Sequence, residues 1–271
     1  MFGKRSDGRR LKKINPLFLL MPHIMKRMSD AQVFYSQEIP IAPLDEYIAK
    51  KDAEGIKMSY MAIIYASLVR ILAEKPLINR FVINGRIYAR NSIDISLVIK
   101  KGMSDTADET PIKLHFSGSE NIFDIRNRLE QAIIKNKEVT AENATDKLAK
   151  TLSFIPSWLI KFIVNLLMFL DRHDLMPKFV IEASPFHTSA FLTNVGSLGI
   201  DSIYHHLYDF GTTGVFLAMG KKKKSLINVD EALAEEKILS LRWVLDERIC
   251  DGYYYANAVK LFNKYMKKPE L

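Results

Sequence analysis

The chain has 271 residues, 48% of them hydrophobic, enough to fill the core of one large or two small domains, so an ordinary globular protein is expected. Lysine and arginine outnumber aspartate and glutamate by 39 to 31, with much of the surplus at Lys4–Lys13 and Lys221–Lys224. No aromatic-interleaved basic motif or zinc-finger spacing accompanies these clusters, which therefore read as solvated surface, with no nucleic-acid partner. The single cysteine, Cys250, excludes an internal disulfide framework, suits a reducing compartment and reads as a buried filler. A basic segment before Ile14–Met21 has the outline of a signal peptide. Pro16 and Pro22 interrupt that apolar run, Lys26 and Arg27 close it, and no small-residue cleavage site follows, so a cytoplasmic location is expected.

No internal repeat or low-complexity linker divides the chain. Gln32–Ile41 reads as a strand and Pro43–Asp45 as the start of a short helix. Met58–Glu74 is a helical run that is apolar on nearly every side, which predicts burial, and Pro76 stops it. Asn84-Gly85 between Arg80–Ile83 and Arg86–Tyr88 is a hairpin signal. Asp94–Lys100 continues as a strand. Asn121–Lys137 carries Ile122, Ile125, Leu129 and Ile133 at helical spacing, and Lys147–Asp171 is helical again with a break at Pro156. Within it Trp158–Leu170 is nearly all apolar, shorter than the ~20 residues of a membrane span, with Lys161 and Asn165 as a polar seam. Core or subunit-interface packing is the first expectation for this helix. Lying in a membrane surface, or lining an acyl-chain channel, is the other. Ser189–Asn194, Thr213–Met219 and Ile238–Leu245 read as strands, with a glycine turn at Gly196–Gly199, and Lys221–Lys224 is expected to cap a connection between the last two. Tyr253–Met266 reads as an amphipathic closing helix.

The segment Leu245-Asp246-Glu247-Arg248-Ile249-Cys250-Asp251-Gly252 resembles the Asp-His-Arg-x-x-Asp-Gly signature of dihydrolipoyl acyltransferases and chloramphenicol acetyltransferases, with Glu247 in place of the histidine. Lys75-Pro76-Leu77-Ile78-Asn79 before the hairpin, Phe191–Gly199 (FLTNVGSLG) and Val215–Gly220 are similar to further elements of the dihydrolipoyl acyltransferase catalytic domain, in the same order. The resemblance implies an α/β two-layer sandwich of the chloramphenicol acetyltransferase-like type, a mixed β-sheet packed with helices. It implies a single acyltransferase-like domain over residues 1–271, with a basic amino-terminal arm (about 1–30) and a helical insertion (about 121–177). It further implies a homotrimer with sites in channels between subunits, coenzyme A or acyl-coenzyme A as substrate, and no covalently bound lipoyl group. By position Thr193 matches the hydroxyl that stabilises the tetrahedral oxyanion, Asp251 the carboxylate that fixes the loop through a charged partner, and Glu247 the base. Asn194, Gly196 and Gly252 stand as cofactor-binding positions.

Acyl transfer needs a base that strips a proton and a donor that holds the developing oxyanion. Thr193 can be the donor. Strand alternation would put Leu239, Leu241, Trp243, Leu245 and Glu247 on one face, ending an apolar stripe in a carboxylate whose pKa desolvation raises towards ~6–7. The rival reading is an ionised Glu247 paired with Arg242, Arg248 or another basic neighbour, at a site that performs no transfer. His205 and His206 are the other candidates for a base. No spacing of Cys, His or carboxylates completes a metal set, so no metal is expected. The expected function is transfer of an acyl group from a coenzyme A thioester to a thiol, amine or hydroxyl acceptor. The alternative is a catalytically inactive relative acting as a binding or scaffold protein, and membrane-surface contact is not the favoured reading.

Overall fold

A computed structural model of the chain describes residues 5–102, 109–137, 154–229 and 232–270. β1 (Gly8–Arg10) and α1 (Pro16–Ile24) open it. The Asn15 side chain accepts the Leu17 N–H at 2.9 Å, and Pro16 stands in the first turn, where no N–H is needed. The prolines therefore do not interrupt this run: Pro22 falls in the last turn of a single helix. β2 (Gln32–Pro40), α2 (Ala42–Ala53) and α3 (Tyr60–Glu74) follow. Ser59 caps α3, its Oγ lying 3.1 Å from Ala62 N, and the helix ends before Pro76, which cannot continue it. β3 (Arg80–Ile83) and β4 (Arg86–Arg90) meet at Asn84 and Gly85, with φ of 49° and 72°, the left-handed pair of a tight hairpin turn. Then come β5 (Ile93–Lys100), β6 (Glu109–Phe116), α4 (Ile122–Lys137), α5 (Ser157–Arg172) and α6 (Lys178–Ala183). β7 (Ala190–Asn194), β8 (Val215–Val229), β9 (Ala232–Asp246) and α7 (Gly252–Lys267) complete the order. Lys4 and residues 147–153 of the expected second helical run lie outside the described residues.

β1, β4 and β3 form a small sheet; the main sheet has the order β2-β9-β8-β7-β5-β6, parallel only between β5 and β7 and between β7 and β8. Its helix-covered face carries Leu192, Leu217, Leu241 and Trp243 in one core with α3 and α7, where the Trp243 indole donates to Gln37 Oε1 at 2.7 Å. The other face holds a smaller cluster of Met28, Phe191, Leu207, Phe216 and Val244. This is the α/β sandwich expected. Lys221–Lys224 caps no connection but runs inside β8. There Lys222 Nζ lies 4.3 Å from the Tyr60 ring centre, Lys223 pairs with Asp201 and Glu38 at 3.0 and 3.1 Å, and Lys224 with Glu235 at 2.6 Å. The reason is local: β7 ends opposite Met219, so from Gly220 onward β8 has only β9 beside it, and past Ile238, where β2 ends as well, the two strands run on as a solvated ribbon with no need of alternating apolar residues.

Two sequence expectations about burial are corrected. Arg5, within a cluster read as solvated, is buried: it donates to Asp7 at 2.8 and 3.0 Å and to Asp171 at 2.6 Å, over the Phe81 ring. Arg90 completes this network, donating to the carbonyls of Thr188 and Thr212 at 3.0 and 2.8 Å. Conversely, α5 is not packed into the core of this chain, because Asp171 is its one buried residue.

Candidate active site

β9 ends at Asp246, and residues 247–250 turn away from the sheet. The Arg248 guanidinium forks onto the Asp246 carboxylate at 2.8 Å through both Nε and Nη2, with side chains 4% and 0% exposed. Tyr255 Oη donates to the Asp246 carbonyl at 2.7 Å, and the Glu247 N–H donates to the Ala31 carbonyl at 2.9 Å. Pinned on both sides, the turn holds residue 247 outward. Leu239, Leu241, Trp243 and Leu245 do line the core, but Glu247 does not extend their stripe and is exposed. The strand stops one residue short because Asp246 is held by Arg248. Glu247 pairs with neither expected arginine: Arg248 belongs to Asp246, and Arg242 lies over the Tyr204 ring at 5.5 Å. Asp251 has no charged partner among the described residues; its carboxylate instead caps α7, accepting the Tyr254 N–H at 2.8 Å. Gly252 is the first residue of that helix. Burial pushes the Cys250 thiol up to about 12, so it stays protonated and unreactive.

Thr193 lies half-buried at the end of β7, where register sets it beside Ala218 of β8 and, one strand further, Arg242 of β9. Arg242 is thus level with Thr193 across the sheet, a placement that needed the strand register to be seen. Asn194 Oδ1 accepts the Ser197 N–H at 3.2 Å and so shapes the turn after β7. Gly196 seats that turn on β8, since a Cβ there would stand 2.3 Å from the Gly220 carbonyl oxygen. Gly196→Ala is accordingly expected to cost ~1–3 kcal/mol of stability through overpacking, read as a lower urea midpoint with unchanged slope.

The chain continues to Asp201, which accepts hydrogen bonds from Ser240 and from Lys223 and is thereby held at about 2, below the usual carboxylate range. A depressed folded-state pKa gives stability that is present above the unfolded value near ~3.9 and lost as pH falls towards the folded one. Asp201→Asn should therefore flatten the acid limb of the stability profile between about pH 4 and 2. An unchanged limb in that variant would mean that other carboxylates set it.

The His205 and His206 rings lie 4.8 Å apart but in different surroundings. His206 is exposed, whereas the His205 ring stacks on Phe216 at 4.1 Å between centres, and burial pulls its pKa below the ordinary imidazole value. Phe216 is opposite Phe191, which shares a sheet face with Thr193, so His205 sits one side-chain step, roughly 7 Å, from Thr193 along the strand direction. Glu247 is elsewhere. Ala190, Val215 and Leu245 are level across the sheet; Thr193 lies three residues from that line in one direction and Glu247 two in the other. Roughly 17 Å along the strands and ~10 Å across them separate the two positions, so a single chain does not bring them together. A cleft of about 570 Å³ opens beside Arg248, its wall including His23, Lys26, Arg27 and Arg172. Among the described residues no three His, Cys, Asp or Glu side chains are grouped to hold a metal ion.

Residues 186–271 match the family described as 2-oxoacid dehydrogenases acyltransferase (catalytic domain). Among solved structures, the cubic core of the pyruvate dehydrogenase multienzyme complex is similar at a TM-score of 0.59 and 10% identity, over 96% of this chain and 93% of that one. The dihydrolipoamide acetyltransferase of Azotobacter vinelandii gives 0.58 and 11%, over 96% and 93%. A chloramphenicol acetyltransferase gives 0.54 and 12%, over 96% and 98%. No curated protein matches by sequence. From residue 186 onward the chain thus matches the acyltransferase catalytic domain of the 2-oxoacid dehydrogenases, and over nearly its whole length it has the fold that those cores share with chloramphenicol acetyltransferase.

Proposed function

We propose that this protein transfers an acyl group from a coenzyme A thioester to a thiol, amine or hydroxyl acceptor, at a site completed between the subunits of a cytoplasmic homotrimer. The observation that carries the reading is the buried Asp246–Arg248 fork, which holds residue 247 out of the fold at the signature position. For the Azotobacter vinelandii enzyme the catalytic roles studied are those of a serine, a histidine and an asparagine, the last two four residues apart. Glu247 and Asp251 have that spacing, and Thr193 supplies a hydroxyl. The distance between Thr193 and Glu247 in one chain supports a shared site, with Thr193 of one subunit facing Glu247 of the next.

In this scheme the Glu247 carboxylate takes the proton of the acceptor S–H, O–H or N–H as the acceptor attacks the thioester carbonyl carbon. The Thr193 hydroxyl donates to the oxyanion that forms. Collapse of the tetrahedral species breaks the C–S bond, and the departing coenzyme A thiolate takes the proton back from Glu247. The test is thiol release from a panel of acyl-coenzyme A donors with mixed thiol, amine and hydroxyl acceptors, beside light scattering of the same sample. Acceptor-dependent release by a trimer is expected. A monomer at micromolar concentration, or no release from any pair, would sink the reading.

A further inference from the structure

Two helices carry apolar stripes that the fold leaves uncovered. On α5, Trp158, Phe162, Leu166 and Phe169 recur at intervals of four, four and three residues, which stacks them on one helical face, and all four are exposed. Beside that stripe the same helix exposes Lys161, Asn165 and Arg172. On α1, Leu17, Leu20 and Ile24 form a second exposed stripe, at intervals of three and four. The helices meet at the β3–β4 turn: the His23 ring is packed so close that a Cβ on Gly85 would stand 2.6 Å from it, and Asn84 Nδ2 donates to the Arg172 carbonyl at 3.2 Å.

The charge around these stripes selects their occupant. Lys12 and Lys13 precede α1, Lys26 and Arg27 follow it, and all are exposed, as are Lys161 and Arg172 of α5. Among the described residues four carboxylates stand near these cations, and the exposed Asp30 accepts the Arg27 N–H at 3.3 Å. Asp171 and Asp174 are buried on Arg5 and Arg86, and Asp209 accepts the Met28 N–H at 2.8 Å. A two-fold contact that set this face against its own copy would bring like charges together around the apolar stripes, whereas an anionic bilayer satisfies the apolar and the basic groups at once.

We propose that this face docks on an anionic lipid bilayer, with α5 lying in the plane of the surface, its Trp158–Phe169 stripe in the acyl boundary and the flanking cations among the headgroups. No helix among the described residues is long and apolar enough to cross a membrane, so the contact is in-plane. The protein supplies its own reporter. Of its two tryptophans, Trp158 is 71% exposed and Trp243 2%, so a change in emission on contact belongs to Trp158. The whole chain is mixed with vesicles of phosphatidylcholine alone and of phosphatidylcholine with phosphatidylglycerol. Co-sedimentation with the anionic vesicles, a blue shift, quenching by brominated acyl chains and weakening in salt are expected. Phe162→Glu and Leu20→Glu should each lower binding at least tenfold with melting unchanged, since both side chains face solvent. Absence of binding overturns the proposal. So does binding without a Trp158 shift and indifferent to Phe162→Glu, which is charge alone, and so does Trp158 already shielded from acrylamide in the lipid-free protein, which makes the face a subunit contact.

Discussion

Glu247→Gln is expected to slow acyl transfer by ~10²–10⁴, the range for loss of a positioned general base, with donor KM nearly unchanged. The amide keeps the size and exposure of the side chain at the tip of the pinned turn but cannot accept the proton, so the loss should fall on kcat in a steady-state coenzyme A release assay. His206→Ala should stay near the parent rate, because His206 is exposed and its ring packs on Tyr208 and His205. Full activity in Glu247→Gln would remove the carboxylate from the chemistry. His205, held neutral by burial and lying on the Thr193 face, would then become the leading base, and His205→Ala would carry the loss.

The largest effect on stability is expected at the fork beneath that turn. Asp246→Ala leaves the Arg248 guanidinium buried without its counter-charge, and breaking a buried pair on one side costs ~3–5 kcal/mol. Replacing both partners together, Asp246→Leu with Arg248→Met, should cost much less, since neither charge then has to be desolvated. Urea unfolding of the two variants reads the difference directly. Equal costs would show that shape rather than charge holds the turn.

The parts of this fold set by neighbouring residues were legible in the sequence. The hairpin follows from Asn84-Gly85, whose left-handed pair is a property of two residues, and α3 and α7 follow from apolar spacing within one segment. β6 is a mixed case: Ile112, Leu114 and Phe116 alternate with Lys113 and His115 as a strand should, but Pro111 speaks against one, and it is tolerated because β6 lies at the sheet edge. The run Lys221–Lys224 misleads for a related reason, since β8 has lost its β7 neighbour there and no apolar alternation declares the strand. At the site, the motif located the turn but alternation misplaced Glu247, because Asp246 ends the strand through a contact with Arg248 that periodicity does not encode. The burial of Arg5 was equally hidden, its partner Asp171 lying 166 residues away.

The sheet also fixes an order of events during synthesis. β2 finds its ladder partner in β9, Gln32 opposite Asp246, so the first strand of the main sheet is made some two hundred residues before the strand that completes it. At the ~5–20 residues per second of translation, β2 waits on the order of ten seconds or more, with Val33, Phe34 and Tyr35 unpaired on the growing chain. Arg5 waits for Asp171 in the same way. Neither the sheet nor the seal over the amino terminus can close piecewise behind the ribosome. A chain cut before β9 is therefore left with a sticky strand rather than a smaller fold, and a slow passage through the second half prolongs the interval in which two nascent chains can pair with each other.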